Sequence, residues 1–182
     1  YVKEHCAEEL AMLNAEVPEI KEIPTIRFHE AKQIMEEKFG HKSKNRYDLN
    51  PDEEVLLCQW AKEEHDSDFV FVTHFPSAKR PIYAKDDPED PKLALSFDLL
   101  FRGLEITTGG QRIHDYQEQM DKLAARKMNA ELFESFTMLH KYGMPPHGGL
   151  GIGLERLTMQ LLGLNNIREA SMFPRDMNRL EP

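Results

Sequence analysis

Cysteine, long apolar runs and positive charge are all scarce in this sequence, and each scarcity excludes a class of protein. The only two cysteines, Cys6 and Cys58, form no Cys-x-x-Cys motif and stand at no zinc-ligand spacing to histidine. We interpret both as small buried side chains in a reducing compartment. No segment approaches the roughly 20 apolar residues of a membrane-spanning helix, so we expect no membrane partner.

The charge balance of the chain is acidic. Lysine and arginine number 23 against 32 aspartates and glutamates, which gives a formal net charge of -9. This balance opposes extensive binding to a phosphate backbone, although a few converging arginines could still form a small anion site. The 182 residues, 40% hydrophobic and 30% charged, are typical of one soluble globular domain. Because the sequence starts at Tyr1 without an initiator methionine, we expect further sequence upstream.

The first part of the chain, residues 1–67, is predicted to be mostly helical. Apolar residues recur at helical spacing over 7–17 and 30–39, and Gly40 supplies a stop signal. A third helix is expected to begin at Asn50, where a capping residue precedes proline and acidic residues, and to run to about residue 64. This helix should bury three apolar side chains: Val55, Leu56 and Trp60.

Residues 68–182 show strand patterns first and helical patterns afterwards. Runs of β-branched and aromatic residues predict strands, and Gly103 inside the longest run marks a bulge or a close approach. The predicted strands and extended segments are 26–28, 69–73, 81–84, 93–108 and 150–154, and the predicted helices are 115–127, 130–140 and 155–162. Neighbouring strands without regular helical crossovers indicate an antiparallel sheet flanked by helices, an α+β fold.

The segment from 97 to 116 carries one candidate site. In a regular strand, Leu104 and Ile106 point to one face, while Glu105 and Thr107 point to the other. Two glycines follow and then Arg112. A carboxylate, hydroxyls and an arginine this close together are suited to a divalent cation and a ligand that bears a carboxylate. The alternative is a strand edge with an ordinary glutamate–arginine salt bridge.

The segment from 141 to 157 carries a second candidate site. Four glycines between positions 148 and 153 let a flat ligand approach the backbone, and Glu155 and Arg156 follow in the first turn of a helix. A helix start favours anions, and Arg156 adds a planar cation for phosphate or adenine. The segment is neither a Walker loop nor a GxGxxG opening. The alternative is a glycine-rich turn shaped only for packing.

Together the two segments resemble the last part of the class II aminoacyl-tRNA synthetase catalytic domain, in particular the aspartyl type of archaea and eukaryotes. Arg-Gly-Leu-Glu-Ile at 102–106 and Gly-Gln-Arg-Ile-His-Asp-Tyr at 110–116 are similar to that family's ligand-bearing strand. Lys-Tyr-Gly-Met-Pro-Pro-His-Gly-Gly at 141–149 and Gly-Ile-Gly-Leu-Glu-Arg-Leu at 151–157 resemble its motif three. The detailed similarity runs from about Phe69 to the end, and residues 1–67 resemble a more variable region loosely.

The resemblance implies a role for each matched residue. Glu105 would contact ATP and Mg²⁺. Thr108 stands where the family usually has serine, and would bind the metal and L-aspartate. Arg112 would bind the carboxylate of the substrate. The residues that would line the ATP site, besides Glu105, are Gly153, Leu154, Glu155 and Arg156, the last holding the triphosphate. We therefore expect Glu105, Arg112 and Arg156 to converge around one pocket on one sheet surface, as the catalytic residues.

The implied activity is aspartate–tRNA ligation in the cytoplasm. In this family, the α-carboxylate of aspartate attacks the α-phosphorus of ATP without an obligatory protein base, and the aspartyl group then passes to tRNA-Asp. Motif one, motif two and the anticodon-binding barrel would precede Tyr1. We therefore expect residues 1–182 to be the C-terminal part of the catalytic domain, without full activity alone. The full-length enzyme would be a homodimer and contact tRNA mainly through regions outside this chain.

Two alternatives remain open. The first is an asparaginyl-tRNA synthetase or a synthetase-derived asparagine synthetase. Where this chain has Gly-Gly-Gln-Arg-Ile-His-Asp, the asparaginyl enzymes have a segment similar to Gly-Ser-Gln-Arg-Glu-Glu. The sequence therefore favours aspartate. The second alternative is a synthetase-like binding module without catalysis. Whether tRNA-Asp alone or also tRNA-Asn is the acceptor also stays open.

Overall fold

A five-stranded sheet with helices packed on it forms the centre of the protein. The computed structural model describes residues 1–181. The strands are β1 Thr25–Arg27, β2 Phe69–Thr73, β3 Ser96–Phe101, β4 Leu104–Arg112 and β5 His147–Ile152. The helices are α1 Val2–His5, α2 Ala7–Leu13, α3 Phe28–Phe39, α4 Pro51–His65, α5 Tyr116–Ala125, α6 Glu134–Lys141 and α7 Leu154–Leu162, with short 3₁₀ turns at Ser77–Lys79, Ala130–Phe133 and Ile167–Ala170. No helix within residues 1–181 is long and apolar enough to cross a membrane.

The strands lie in the order β1-β2-β3-β4-β5, which is also their order along the chain. β2 to β5 pair antiparallel, and β1 pairs parallel to β2. The parallel pair has a simple cause, since α3 and α4 separate β1 from β2 and return the chain to the same end of the sheet. The predicted α+β class is confirmed, with one parallel strand at the edge.

Two predicted strands were wrong in detail. Residues 81–84 form a turn, in which the Ala84 N–H donates to the Pro81 carbonyl at 3.0 Å, and only Ala84 makes an isolated bridge, to Arg112. The predicted strand over 93–108 is a hairpin, because Arg102 (φ 47°) and Gly103 (φ 91°) close a two-residue turn between β3 and β4. A turn of this kind needs positive φ at both positions, which glycine adopts without strain.

The helix that starts after Asn50 is confirmed at its beginning. Asn50 and Glu53 form a capping box around Pro51, and α4 continues to His65. Trp60 is buried and Leu56 is half-buried, but Val55 is 53% exposed, which contradicts its predicted burial. Val55 contacts the β3–β4 turn instead of the core.

Two apolar clusters cover the two faces of the sheet. The larger one joins α3 and α4 to one face, through Phe28, Met35, Leu57, Val70, Val72, Phe75 and Leu100. The smaller one joins α7 to the other face, through Phe69, Phe101 and Ile106 with Leu157 and Leu161 packed against them. The cluster that a side chain of β3 or β4 joins therefore shows on which face of the sheet it lies.

The two cysteines are both free thiols, and they differ in accessibility. Cys58 is 7% exposed, and burial raises the pKa of its thiol to about 12. Cys6 is only half-buried, which corrects the predicted burial of both. We expect a thiol reagent at about pH 8 to label Cys6 in the native protein and Cys58 only after unfolding, because the thiolate is the reactive form. Peptide mapping after labelling checks this, and rapid native labelling of Cys58 would contradict it.

Candidate functional site

A β-bulge in β4 decides which side chains share a face. Leu99 pairs with Thr107 and Leu100 pairs with Glu105, so Ile106 has no partner on β3. Because cross-strand partners share a face, Glu105 and Thr107 lie on opposite faces, which contradicts the regular alternation predicted above. The same bulge brings Thr108, which pairs with Asp98, onto the face of Glu105. Without the extra residue, two of the predicted site residues would be separated by the sheet.

The backbone of Glu105 is held by two side chains from different helices. Its N–H donates to Oε2 of Glu54 at 2.7 Å, and its carbonyl accepts from Nη1 of Arg156 at 2.7 Å. The Glu105 carboxylate lies 4.0 Å from the same Arg156 nitrogen. Burial raises the pKa of the Glu105 carboxyl and the Asp98 charge raises it further, while Arg156 and Arg80 partly oppose the rise. Glu105 is therefore a poorly solvated carboxylate that favours a nearby cation.

Arg156 reaches Glu105 from the first turn of α7. Gly153 caps this helix, and its N–H donates to the Ile106 carbonyl at 2.8 Å, which ties the helix start to the bulge. The Leu154 and Glu155 side chains are exposed, and neither contacts Glu105. The structure thus brings Gly153 and Arg156 to the β4 backbone and leaves the two residues between them facing solvent.

A network that the sequence reasoning missed lies beside Thr108. Asp98 is only 4% exposed, and Arg80 binds it with both terminal nitrogens, at 3.0 and 2.8 Å. The Thr108 hydroxyl donates to Asp98 at 2.6 Å and accepts from Arg80 at 3.2 Å. The Arg80 guanidinium is stacked on Phe75, 3.7 Å from the ring centre. The sequence did contain one signal for this network. Asp98 stands inside an apolar strand, and a buried carboxylate requires a partner.

Arg112 lies in a cavity of about 250 Å³ on the same face. Its guanidinium stands over the Tyr83 ring at 4.8 Å and against Gly149, where a Cβ atom would lie 2.6 Å from Nη2. Arg80, Ser96, Thr108, Gly110 and Gly151 also line this cavity. Glycines on two neighbouring strands therefore let a ligand reach the sheet backbone beside a planar cation.

The three predicted catalytic residues share one surface but not one pocket. Arg156 contacts Glu105, whereas Arg112 is seven residues further along β4, about 20 Å at the usual rise per residue. Thr108 lies between the two ends and lines the Arg112 cavity. The expected single pocket is thus replaced by an extended face with Glu105 and Arg156 at one end and Arg112 at the other.

Glu105 and Thr108 are the candidate oxygen donors for a divalent cation. Within residues 1–181, no three or more His, Cys, Asp or Glu side chains are grouped so that they could hold a metal by themselves. Mg²⁺ is often bound by one or two carboxylates together with substrate phosphates. The Glu105 carboxylate and the Thr108 hydroxyl are hard oxygen donors on one face, so they fit a Mg²⁺ ion that arrives with a phosphate ligand.

Comparisons with known proteins identify the family of this chain. Residues 2–177 match the family of class II tRNA synthetases (D, K and N). The chain is 49% identical over 180 residues to an aspartate–tRNA(Asp/Asn) ligase of Deinococcus radiodurans, with 96% of this chain and 41% of that protein covered. It is 38% identical over 183 residues to an aspartate–tRNA(Asp) ligase of Pyrococcus furiosus, with 100% and 42% covered. The chain therefore spans about two fifths of the length of these relatives.

Two solved structures show the same architecture. An aspartyl-tRNA synthetase from Entamoeba histolytica superposes with a TM-score of 0.93 at 32% identity, over 100% of this chain and 38% of that one. An asparaginyl-tRNA synthetase from Pyrococcus horikoshii superposes with a TM-score of 0.84 at 33% identity, over 98% of this chain and 43% of that one. The sheet order, the glycine-lined face and the match over residues 2–177 lead to one conclusion: this chain belongs to the class II tRNA synthetases of the D, K and N group.

Proposed function

We propose that this chain is the C-terminal part of the catalytic domain of an aspartate–tRNA ligase. Residues 1–67 form its mostly helical variable region and contribute the edge strand β1, and residues 68–182 carry the other four strands of the active-site sheet and motif three. The observation that carries the proposal is the bulge in β4, which gathers Glu105, Thr108 and Arg112 on one face with Arg156 at its end. In the full-length protein, this face would activate L-aspartate with ATP and pass the aspartyl group to tRNA-Asp.

The Glu105 end of the face is proposed to bind ATP. Arg156 uses one of its five N–H donors on the Glu105 carbonyl, which leaves the others for phosphate oxygens. Its side chain is 45% exposed and stands at the start of a nine-residue helix, where the helix dipole also favours an anion. Gly153, Leu154 and Glu155 would line the same site.

Glu105 and Thr108 would hold Mg²⁺ in this proposal. When bound, the ion would neutralise phosphate charge and stabilise the charge that develops at the reacting phosphate. The raised pKa of Glu105 supports the assignment, because a carboxylate that burial has stripped of water gains most from a cation. Asp98 is already paired with Arg80, so these two side chains fix the orientation of the Thr108 hydroxyl.

Arg112 is proposed to bind the carboxylate of aspartate as a bidentate fork. The guanidinium is packed over the Tyr83 ring and close to Gly149, and these contacts would restrict its orientation before the ligand arrives. The α-carboxylate, already ionised at neutral pH, would form a new bond to the α-phosphorus of ATP. The bond from that phosphorus to the bridging oxygen would break, and pyrophosphate would leave. Arg156 would stabilise the charge on the phosphate oxygens.

In the second half-reaction, a ribose hydroxyl at the tRNA terminus would attack the carbonyl carbon of the adenylate. The aspartyl group would pass to the tRNA, and AMP would leave. A homodimeric state, a cytoplasmic location and the absence of a membrane partner belong to the proposal and rest on the family resemblance. Aspartate is favoured over asparagine by the Gly-Gly-Gln-Arg-Ile-His-Asp segment and by the names of relatives that are 49% and 48% identical to this chain.

Amino-acid-dependent pyrophosphate exchange by the full-length protein tests the proposal. We expect exchange with aspartate and little with asparagine, and we expect Arg156→Ala to lower kcat/KM for ATP by about 100-fold, as for a lost charged contact in the transition state. Arg27→Ala removes an exposed arginine on β1, at the opposite edge of the sheet from β5, and serves as the matched control. Exchange with asparagine alone would indicate the asparaginyl activity. Exchange with neither amino acid, with ATP still bound in calorimetry, would indicate a binding module without catalysis.

A further inference from the structure

Helix α4 docks against the tip of the β3–β4 hairpin through side chains of its first two turns. Glu54 accepts the Glu105 N–H at 2.7 Å. Val55 lies so close to the turn that a Cβ atom at Gly103 would stand 3.1 Å from it. One helical turn after Glu54, Cys58 lines a small cavity together with Arg102 and Gly103 of the same turn. The hairpin tip is therefore seated on α4 along one helix face.

The contact with Glu54 satisfies a backbone group that the sheet leaves unpaired. β5 ends at Ile152, which pairs with Thr107, so β5 stops two residues short of Glu105. The N–H and C=O of one strand residue point to the same side, and both groups of Glu105 lie beyond the end of β5. Glu54 accepts from the N–H and Arg156 donates to the C=O, and these two side chains replace the missing strand.

We propose that Glu54 is a positioning residue for Glu105. Its carboxylate holds the Glu105 backbone at the bulge, and thereby keeps the Glu105 side chain beside Arg156 and on the face of Thr108. The inference rests on the proposed function, in which Glu105 contacts ATP and Mg²⁺. Glu54 does not line the Arg112 cavity, and its hydrogen bond goes to the Glu105 backbone, so we expect its main effect at the ATP end of the face.

The environment of Glu54 supports a fixed rather than a mobile side chain. It is half-buried, and burial raises the pKa of its carboxyl, while the Glu105 N–H opposes that rise. Glu54 and Arg156 are bonded to the N–H and the carbonyl of the same residue, Glu105, so the three side chains are close neighbours. A partner that orients a ligand-binding side chain commonly contributes about 10- to 100-fold to metal affinity or activity.

The test uses aspartate-dependent pyrophosphate exchange by the full-length protein, with Mg·ATP and aspartate varied separately. We expect Glu54→Ala to raise the KM for Mg·ATP by about 10-fold or more and to leave the KM for aspartate within about threefold. Glu54→Gln keeps an amide oxygen at the same chain length to accept the Glu105 N–H, so it should stay within about threefold of the wild type for both substrates. Asp52→Asn, on the exposed face of the same helical turn, is the charge control and should resemble the wild type.

Three outcomes would overturn the inference. The first is Glu54→Ala behaving like Asp52→Asn. The second is Glu54→Gln losing as much as Glu54→Ala. The third is both KM values rising together with a large drop in melting temperature, which indicates a structural role only.

Glu105→Gln separates this inference from the proposed function: if Glu105→Gln loses exchange while Glu54→Ala does not, only the positioning role fails. If Glu105→Gln retains full exchange, the proposed function of Glu105 fails and the inference with it.

Discussion

Replacement of Gly149 by alanine is expected to raise the KM for aspartate by about 10- to 100-fold while leaving the protein folded. A Cβ atom at this position would lie 2.6 Å from Nη2 and 2.7 Å from Nε of Arg112. The guanidinium is the flexible end of a side chain, so it would swing away rather than disrupt the sheet. Removing one partner of a desolvated charge pair costs roughly 2–5 kcal/mol. A displaced guanidinium keeps part of its contact, so we expect about 1.4–2.8 kcal/mol, which is about 10- to 100-fold at 1.4 kcal/mol per tenfold.

A double-mutant cycle shows whether the methyl group acts through Arg112. Arg112→Ala alone should cause the larger loss, and adding Gly149→Ala to it should cause almost no further loss. Arg112→Lys should also lose affinity, because lysine keeps the charge but not the bidentate fork. The melting temperature of Gly149→Ala, measured beside that of the wild type, controls for the effect of removing a strand glycine on stability. An equal loss from Gly149→Ala in both backgrounds would refute the role assigned to Gly149.

Glu53→Ala is expected to lower the free energy of unfolding by about 3–5 kcal/mol, a large share of the roughly 5–15 kcal/mol of an ordinary domain. Glu53 is 0% exposed and accepts from Lys32 Nζ and from the Asn50 N–H, both at 2.8 Å. Alanine would leave Lys32 Nζ without its only carboxylate partner, with Ser43 Oγ and the Asp48 carbonyl as its remaining acceptors, and would remove the capping box of α4. Urea unfolding followed by the fluorescence of Trp60, the only tryptophan of the sequence, measures the change.

The stabilisation by Glu53 should also depend on pH. Burial alone would raise the pKa of the Glu53 carboxyl, but the donors from Lys32, Ser43 and Asn50 outweigh it and hold the pKa below its ordinary value of 4.5. A depressed folded-state pKa contributes stability that is present above 4.5 and is lost as the pH falls through the folded value. The difference between wild type and Glu53→Ala should therefore be full at neutral pH and shrink in acid.

Glu63→Ala is the control for this prediction, since Glu63 is exposed on the same helix and should change stability by less than about 0.5 kcal/mol. A loss below about 1 kcal/mol for Glu53→Ala, or a loss that does not decrease in acid, would show that the Lys32 pair carries little of the stability.

Features that depend on neighbouring residues were predictable from the sequence. The start of α4 follows from Asn50, Pro51 and Glu53, which satisfy the free N–H groups of the first turn within the segment itself. Gly40 and Gly163 end their helices in the left-handed conformation for the same local reason. The motifs at 102–116 and 141–157 are also continuous in sequence, and they were sufficient to indicate the family.

Residues that depend on distant partners were not predictable. Arg80 and Asp98 are 18 positions apart, and Glu54 and Glu105 are 51 apart, so no local pattern indicates that they meet. The segment 81–84 has the composition of a strand, but a strand requires a continuous partner, and here only Ala84 has one. Val55 occupies an apolar position of α4, yet it packs against the turn at Gly103 rather than the core.

By itself the sequence determined the family, the residue types of the site and most helix ends, because capping and motif spacing are local properties. Only the tertiary structure decided which face each side chain of β4 occupies. A strand alternates faces residue by residue, so one unpaired residue, Ile106, inverts every later position. Whether that residue is paired depends on the register with β3 and on the support from α4 and α7, and these contacts exist only in the folded chain.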